Sequence, residues 1–277
     1  MDNDDRLVGR VLSRREMLAL IGAAGMAPLA GCAPASPAAT GAASGTTAGG
    51  GATEAGGDAL APSTAAPVSA TAPSASLPSC VVRPELTEGP YFVDEHLDRS
   101  DIRSDPASGK VSPGTPLAIT LAVSQVDGSA CKPLGGVTVD LWHCDAAGVY
   151  SDVVDSRFDS RGQKFLRGSQ VTDADGIARF TTIYPGWYQG RAVHIHFKLR
   201  TVSAAGDSYD FTSQWFFDEA LTDTVHAKEP YASKGRRTLL NEGDGIYREA
   251  GSQMILPAAA DSDGGVAARF DIGLVLG

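Results

Sequence analysis

From Pro185 to Phe197 the chain reads P-G-W-Y-Q-G-R-A-V-H-I-H-F, a turn that runs into a strict alternation. Pro185-Gly186 can continue neither a helix nor a central strand, so the chain turns there. Beyond it, Val193, Ile195 and Phe197 occupy every second position, and His194 and His196 lie between them. A period of two is the signature of a strand, whose successive side chains point to opposite faces. Such a strand sends its apolar residues into a core. It holds two imidazoles side by side on the other wall, fixed by the packing behind them, which is a good mount for a metal ion.

The rest of the chain repeats this pattern. Alternating or apolar runs predict strands at Pro116–Gln125, Val137–His143, Phe165–Thr172, Ile177–Ile183, Ala192–Thr201, Tyr209–Phe217, Gln253–Pro257 and Ala267–Leu276. Asp127-Gly128, Asp145–Gly148 and Asp173–Gly176 punctuate them as turns. Residues 94–105 and 151–162 are polar and irregular, and 219–250 form a long excursion with a helical turn or two. Seven to nine short strands with little helix predict an all-β, two-sheet β-sandwich with long loops.

That sandwich occupies residues 80–277. Ahead of it, Ser13-Arg14-Arg15 precedes a short apolar run, Leu18 to Ala30, which matches a twin-arginine export signal over residues 1–32, with Met17 where phenylalanine is usual. The run ends in Leu29-Ala30-Gly31-Cys32, resembling a lipoprotein cleavage site with Cys32 as the lipidated residue. The expected location is therefore outside the cytoplasmic membrane, held by a lipid anchor. Residues 33–79 are almost all Ala, Gly, Ser, Thr and Pro, and bury too little surface to offset their ordering entropy, so they are expected to be a disordered tether. A formal charge of −10 argues against a nucleic-acid partner.

Export makes a disulfide plausible among Cys80, Cys131 and Cys144. Cys131 and Cys144 flank a predicted seven-residue strand that spans roughly 23 Å, against the ~6 Å between Cα atoms that a bridge tolerates. That pair is disfavoured; Cys80–Cys131, Cys80–Cys144 and no bridge at all remain open.

A His-x-His pair is weak evidence for a metal by itself. Tyr188, just after the Pro185-Gly186 turn, and Tyr150, just after the Asp145–Gly148 turn, strengthen it, because both fall at strand ends where a sandwich carries functional loops. A phenol has a pKa near 10 and ligates only where a strong Lewis acid deprotonates it. Phenolate is hard and anionic, and suits ferric iron better than zinc or cuprous copper. A copper or zinc site on the two histidines alone is the competing metal reading.

The segments T-E-G-P-Y-F at Thr87–Phe92, P-L-G-G-V-T-V-D-L-W-H-C-D-A-A-G-V-Y at Pro133–Tyr150, V-T-D-A-D-G at Val171–Gly176 and T-I-Y-P-G-W-Y-Q-G-R-A-V-H-I-H-F at Thr182–Phe197 resemble the intradiol ring-cleavage dioxygenases, which include catechol 1,2- and protocatechuate 3,4-dioxygenases. The resemblance implies one non-haem Fe(III) held by Tyr150, Tyr188, His194 and His196. Tyr188 would be the ligand released when substrate binds, Arg191 would stabilise charge on the bound catecholate, and Tyr91 would line the pocket. It further implies cleavage of a catechol-type ring by O2 to a cis,cis-muconate-type diacid. The helical N-terminal dimerisation segment of the intracellular catechol enzymes is replaced here by the signal and tether, so oligomeric state does not carry over. The competing non-enzymatic reading is a transthyretin-like binding module. It accounts for Pro133–Val139 and Val171–Tyr188, but not for Arg191, His194 and His196 together with Tyr150. Among the remaining polar residues, His143 and Gln214 are expected beside the site, His96 and His226 in solvated loops, and Asp173 and Asp175 in a turn.

Overall fold

The computed structural model describes residues 81–276 apart from Ser129 and Ala204. The export signal, Cys32, the tether and Cys80 lie outside the described residues.

The first sheet is built on strand β1 (Pro116–Asp127). Leu117, Ile119, Leu121 and Val123 alternate along it and are buried to 1% exposure or less. β1 pairs in parallel with β11 (Val266–Leu274), which carries the short edge strand β10 (Ala258–Ala260). On its other side β1 pairs antiparallel with β7 (Ile177–Ile183) and then with β2 (Ala130–Pro133). The second sheet is fully antiparallel, in the order β6 (Arg167–Val171), β3 (Thr138–Trp142), β8 (His194–Val202), β9 (Ser208–Phe216). A two-stranded hairpin, β4 (Val154–Asp155) with β5 (Phe158–Asp159), stands apart from both sheets.

The sheets share one core. Phe197 of β8 stacks on Trp215 of β9 at 4.3 Å, and both meet Phe270 of β11 from the first sheet, at 6.3 and 5.5 Å. Each such aromatic contributes about 2–3 kcal/mol through burial, and truncating Phe197 to alanine is expected to cost about 3–5 kcal/mol. This packing fixes the register of β8: a one-residue slip would drive Phe197 out and both histidines in.

Two helices fill the expected excursion: α1 (Glu219–His226), capped by Asp218 on Leu221 N, and α2 (Gly245–Ala250), capped by Asp244 on Ile246 N and Tyr247 N. Two details differ from the expectation. Gln253–Pro257 is not a strand: Gly251–Met254 is a 3-10 turn. Met254 and Leu256 alternate inward, yet only Ile255 bridges to Phe216, and Pro257 has no N–H with which to extend a ladder. His226 is not solvated. It is 9% exposed, its Nε2 donates to the Pro185 carbonyl at 3.0 Å, and it stacks on Tyr231.

Cys131 is disulfide-bonded and Cys144 is a buried free thiol, so the disfavoured Cys131–Cys144 bridge is not formed. Burial raises the Cys144 thiol to about 12.

Candidate metal centre

β8 brings His194 and His196 to one face, opposite Ile195 and Phe197, and both imidazoles are almost fully buried. Behind His196, its cross-strand partner Trp142 lies flat against the ring, 5.0 Å away at 9°. In front, Gly89 of the Thr87–Phe92 segment has φ +76, and a Cβ there would sit 3.2 Å from His196 Cε1. Only glycine satisfies both the backbone angle and the close approach.

The two tyrosines arrive on loops packed back to back. Asp145 Oδ1 accepts from Ala147 N and Val149 N, each at 2.9 Å, and so shapes the turn that delivers Tyr150. Gly186 presses on that turn: its N–H donates to the Asp145 carbonyl at 3.2 Å, and a Cβ on it would lie 2.4 Å from the Ala146 carbonyl oxygen. Two residues on is Tyr188. Ser160 Oγ donates to the Tyr150 carbonyl at 2.6 Å, which pins the chain on the Tyr150 side.

The four side chains converge on one point. His194 Nδ1 donates to the Ala192 carbonyl at 2.7 Å, so in the neutral ring Nε2 carries the lone pair. Around that atom stand His196 Nε2 at 3.0 Å, the Tyr150 and Tyr188 hydroxyls at 3.3 Å each, and Arg191 Nη1 at 3.4 Å. One in-plane lone pair cannot serve two hydroxyls and a guanidinium together, with a second imidazole nitrogen beside it. His196 Nδ1 is buried and has no hydrogen-bond partner among the described residues. Burial, reinforced by Arg191, lowers His194 to about 3, and burial, then His194, lowers His196 well below its ordinary range. Both rings are therefore neutral and available as ligands. Burial also raises Tyr150 well above 10 and Tyr188 to about 12, so without a cation both phenols stay protonated. A bound cation reverses that preference, because it favours the phenolate. The donor set thus fits a hard, strongly charged metal ion. Among the described residues no group of three or more His, Cys, Asp and Glu could hold a metal, so a site here depends on the phenols.

Arg191 is held in a clamp. Its Nε donates to Asp244 Oδ2 at 2.8 Å and its Nη2 to Gln214 Oε1 at 2.6 Å. Gln214 in turn donates to the Thr87 carbonyl at 2.6 Å, beside the cluster as expected. Asp244 is 1% exposed; it also accepts from Ala192 N and caps α2. Tyr91 stacks on Tyr150 at 4.5 Å and donates to Asp155 Oδ2 at 2.7 Å, while Arg157 bonds the other oxygen of that carboxylate at 2.9 Å.

Residues 87–254 match the profile of the protein family described as Dioxygenase. The chain belongs to the intradiol dioxygenase family. Catechol 1,2-dioxygenase 1 of Acinetobacter lwoffii is 30% identical over 147 residues, 44% of this chain and 43% of that one. The protocatechuate 3,4-dioxygenase beta chain of Burkholderia cepacia is 34% identical over 111 residues, 37% of this chain and 47% of that one. The chain therefore spans under half the length of these curated relatives. An intradiol ring-cleavage dioxygenase from Tetranychus urticae superposes with a TM-score of 0.60 at 33% identity, over 71% of this chain and 95% of that one.

Within this family member, Tyr150, Tyr188, His194, His196, Arg191 and Tyr91 all meet in one place. His143 does not touch the cluster: its Nδ1 donates to the Cys144 carbonyl and its Nε2 accepts from Thr182 Oγ1. Asp173 and Asp175 stay in their turn, and His96 is exposed, with its ring against Asp94. The sequence patterns mark neither Asp244 as a partner of Arg191 nor the stacking of Trp142 on His196. The Trp142 contact was within reach, since pairing two predicted strands sets Trp142 opposite His196.

Proposed function

We propose that the chain is an Fe(III)-dependent intradiol dioxygenase that opens a catechol-type ring with O2 to a cis,cis-muconate-type diacid. The supporting observation is the crowding of two neutral imidazoles and two phenols around a single lone pair. Tyr150, Tyr188, His194 and His196 would hold one non-haem ferric ion. When bound, that ion supplies Lewis acidity that draws electron density from a catecholate and a template on which ring and O2 meet.

The protein's own groups do the rest. Tyr188 is the less buried of the two phenols and sits on a loop. Held as a phenolate by the bound ion, its oxygen would accept a proton from an incoming catechol hydroxyl and become the neutral phenol. Arg191, fixed by Asp244 and Gln214, presents a cation to charge building on the substrate oxygens, in a buried setting where that interaction is strong. Trp142, Phe92 and Tyr91 wall off bulk water on the side of His196 and Tyr150.

Iron-loaded protein is expected to show the red-brown colour of tyrosinate bound to Fe(III), to consume O2 with catechol and to release a diacid. A colourless protein after iron reconstitution, inert to a catechol panel, would leave the transthyretin-like binding module as the better reading. We further propose twin-arginine export and a lipid anchor at Cys32. The Arg14-Arg15 pair, the Leu29–Cys32 segment and a disulfide-bonded Cys131, which suits an oxidising compartment, support this. Membrane fractionation of Cys32→Ala tests it: the variant is expected in the soluble fraction, and retention with the membranes would rule the anchor out.

A further inference from the structure

A cavity of about 270 Å³ opens on the outer side of Tyr188, with Val149, Arg157, Phe158, Trp187 and Lys234 around it. Tyr188 is shared: its hydroxyl faces the four-donor cluster, 3.3 Å from His194 Nε2, while the residue also lines the cavity. The cavity's charge runs against that of the chain. The protein carries a formal −10, yet two cations line this space and, among the described residues, no carboxylate does. Lys234 lies over the Trp187 ring at 4.7 Å, donates to the Ala147 and Trp187 carbonyls, and has no ion-pair partner among the described residues. Arg157 lies over the Tyr188 ring at 5.9 Å. Its partner Asp155 is also engaged by Tyr91 and does not line the cavity. Burial is what chiefly holds the Lys234 ammonium below its ordinary range; the nearby Cys144 and Asp145 oppose the shift, and Arg157 adds to it least. An apolar, aromatic floor with two like charges at its rim matches one kind of ligand, a short hydrophobic arm that ends in an anion.

We infer that this cavity is a specificity pocket for a carboxylate carried on a short arm of the catechol ring, with Arg157 and Lys234 as its recognition groups. This rests on the catechol-cleaving reading and refines its substrate class. Tyr188 borders the cavity and carries the hydroxyl that faces the cluster, so a ligand spanning the two would pass its ring. A carboxylate on an arm reaches past that ring better than one attached directly to the substrate ring.

The test is the ratio of kcat/KM for 3,4-dihydroxycinnamate to that for its methyl ester, because a ratio cancels any general loss of activity in a variant. The wild type is expected to favour the acid by roughly threefold to tenfold, as befits partly exposed charge contacts. That preference should fall toward unity as salt is raised. Arg157→Gln and Lys234→Gln should each lower the ratio, and Arg157→Glu should invert it. The Arg157→Glu effect should be smaller for 3,4-dihydroxybenzoate than for the cinnamate. A wild-type ratio near one, or a ratio unmoved by Arg157→Glu, overturns the pocket; equal effects on the two acids overturn the arm. Failure of the iron-loaded enzyme to cleave catechol itself would instead sink the dioxygenase reading. The pocket is then tested separately by titration calorimetry with 3-phenylpropanoate, which lacks the catechol hydroxyls, against its methyl ester. Tighter binding of the acid that Arg157→Glu abolishes supports the pocket, and equal binding removes it.

Discussion

The two halves of the centre are mounted differently. His194 and His196 sit on a central strand, paired on both sides, at 2% and 1% exposure, with Trp142 against one ring and a glycine against its edge. Tyr150 and Tyr188 sit on loops, and of those only Tyr150 is fully buried, between the Tyr91 ring and its pinned backbone. Tyr188 has a cavity on its outer side. Core packing makes the histidine half rigid, because moving either imidazole means moving Phe197 and Trp215 as well. Tyr188, half-buried and bordering that cavity, could shift with less disturbance of the core than the other three side chains. The proposed exchange of one ligand for substrate would need such an asymmetry, and two side chains on a strand with two on loops would provide it.

The largest effects should come from the rigid half. His194→Ala and His196→Ala are expected to lose iron and activity by two orders of magnitude or more, since outer-shell changes alone cost about 10–100-fold. Near-normal iron content by plasma emission analysis in either variant would dissolve the contrast at its base. The phenols should then separate. Tyr150→Phe is expected to lose both iron and visible colour. Tyr188→Phe is expected to keep most of its iron, with a shifted band, and to lose roughly 10²–10⁴-fold in kcat because a proton acceptor is gone. Equal iron loss in the two variants would mean that the loop tyrosine is as fixed as the buried one.

Asp244→Asn comes next. The substitution keeps the shape of the side chain and removes the charge that orients Arg191. A drop of about 10–100-fold in kcat with iron content and colour retained is expected. A cap lost outright, as in Asp244→Ala, would cost about 1 kcal/mol of stability as well. If Asp244→Asn lowered only thermal stability and left kcat alone, Asp244 would be a helix cap and nothing more.

Local rules explain which of these features the sequence reveals. Strand β8 is legible because apolar residues at period two leave no alternative, and β7 is legible for the same reason. The tyrosines are legible as residues at the ends of predicted strands, although only the resemblance joins them to the histidines. Strand β2 carries no such signal because it buries almost nothing, and the β4–β5 hairpin is too short to show any period. Asp244 lies 53 residues beyond Arg191 and reaches it only through tertiary folding. In the sequence it looks like any aspartate before a helix. His226 is hidden for a similar reason: the excursion around it is polar, yet it docks on Pro185 and Tyr231.

The smallest effect should come from Tyr91, which supports the loop half from outside. Its hydroxyl donates to Asp155, and Arg157 followed by Tyr91 holds that carboxyl well below its ordinary range. The sign of the linkage follows. A carboxyl with a lowered folded pKa contributes fully above its unfolded value near 4 and loses that contribution only as pH falls further. Burial, then Asp155, raises Tyr91 above its ordinary 10, so its own contribution is lost only as pH rises past that value. The tie should therefore be constant between about pH 5 and pH 9. Tyr91→Phe keeps the ring stacked on Tyr150 and removes only the hydroxyl. It is expected to raise KM by about twofold to fivefold and to lower Tm by less than about 3 °C, equally at both ends of that range. Thermal melts and KM measured at pH 5.5 and pH 8.5 check this. A Tyr91→Phe effect that grew between those two values would mean that a group other than Asp155 governs the hairpin.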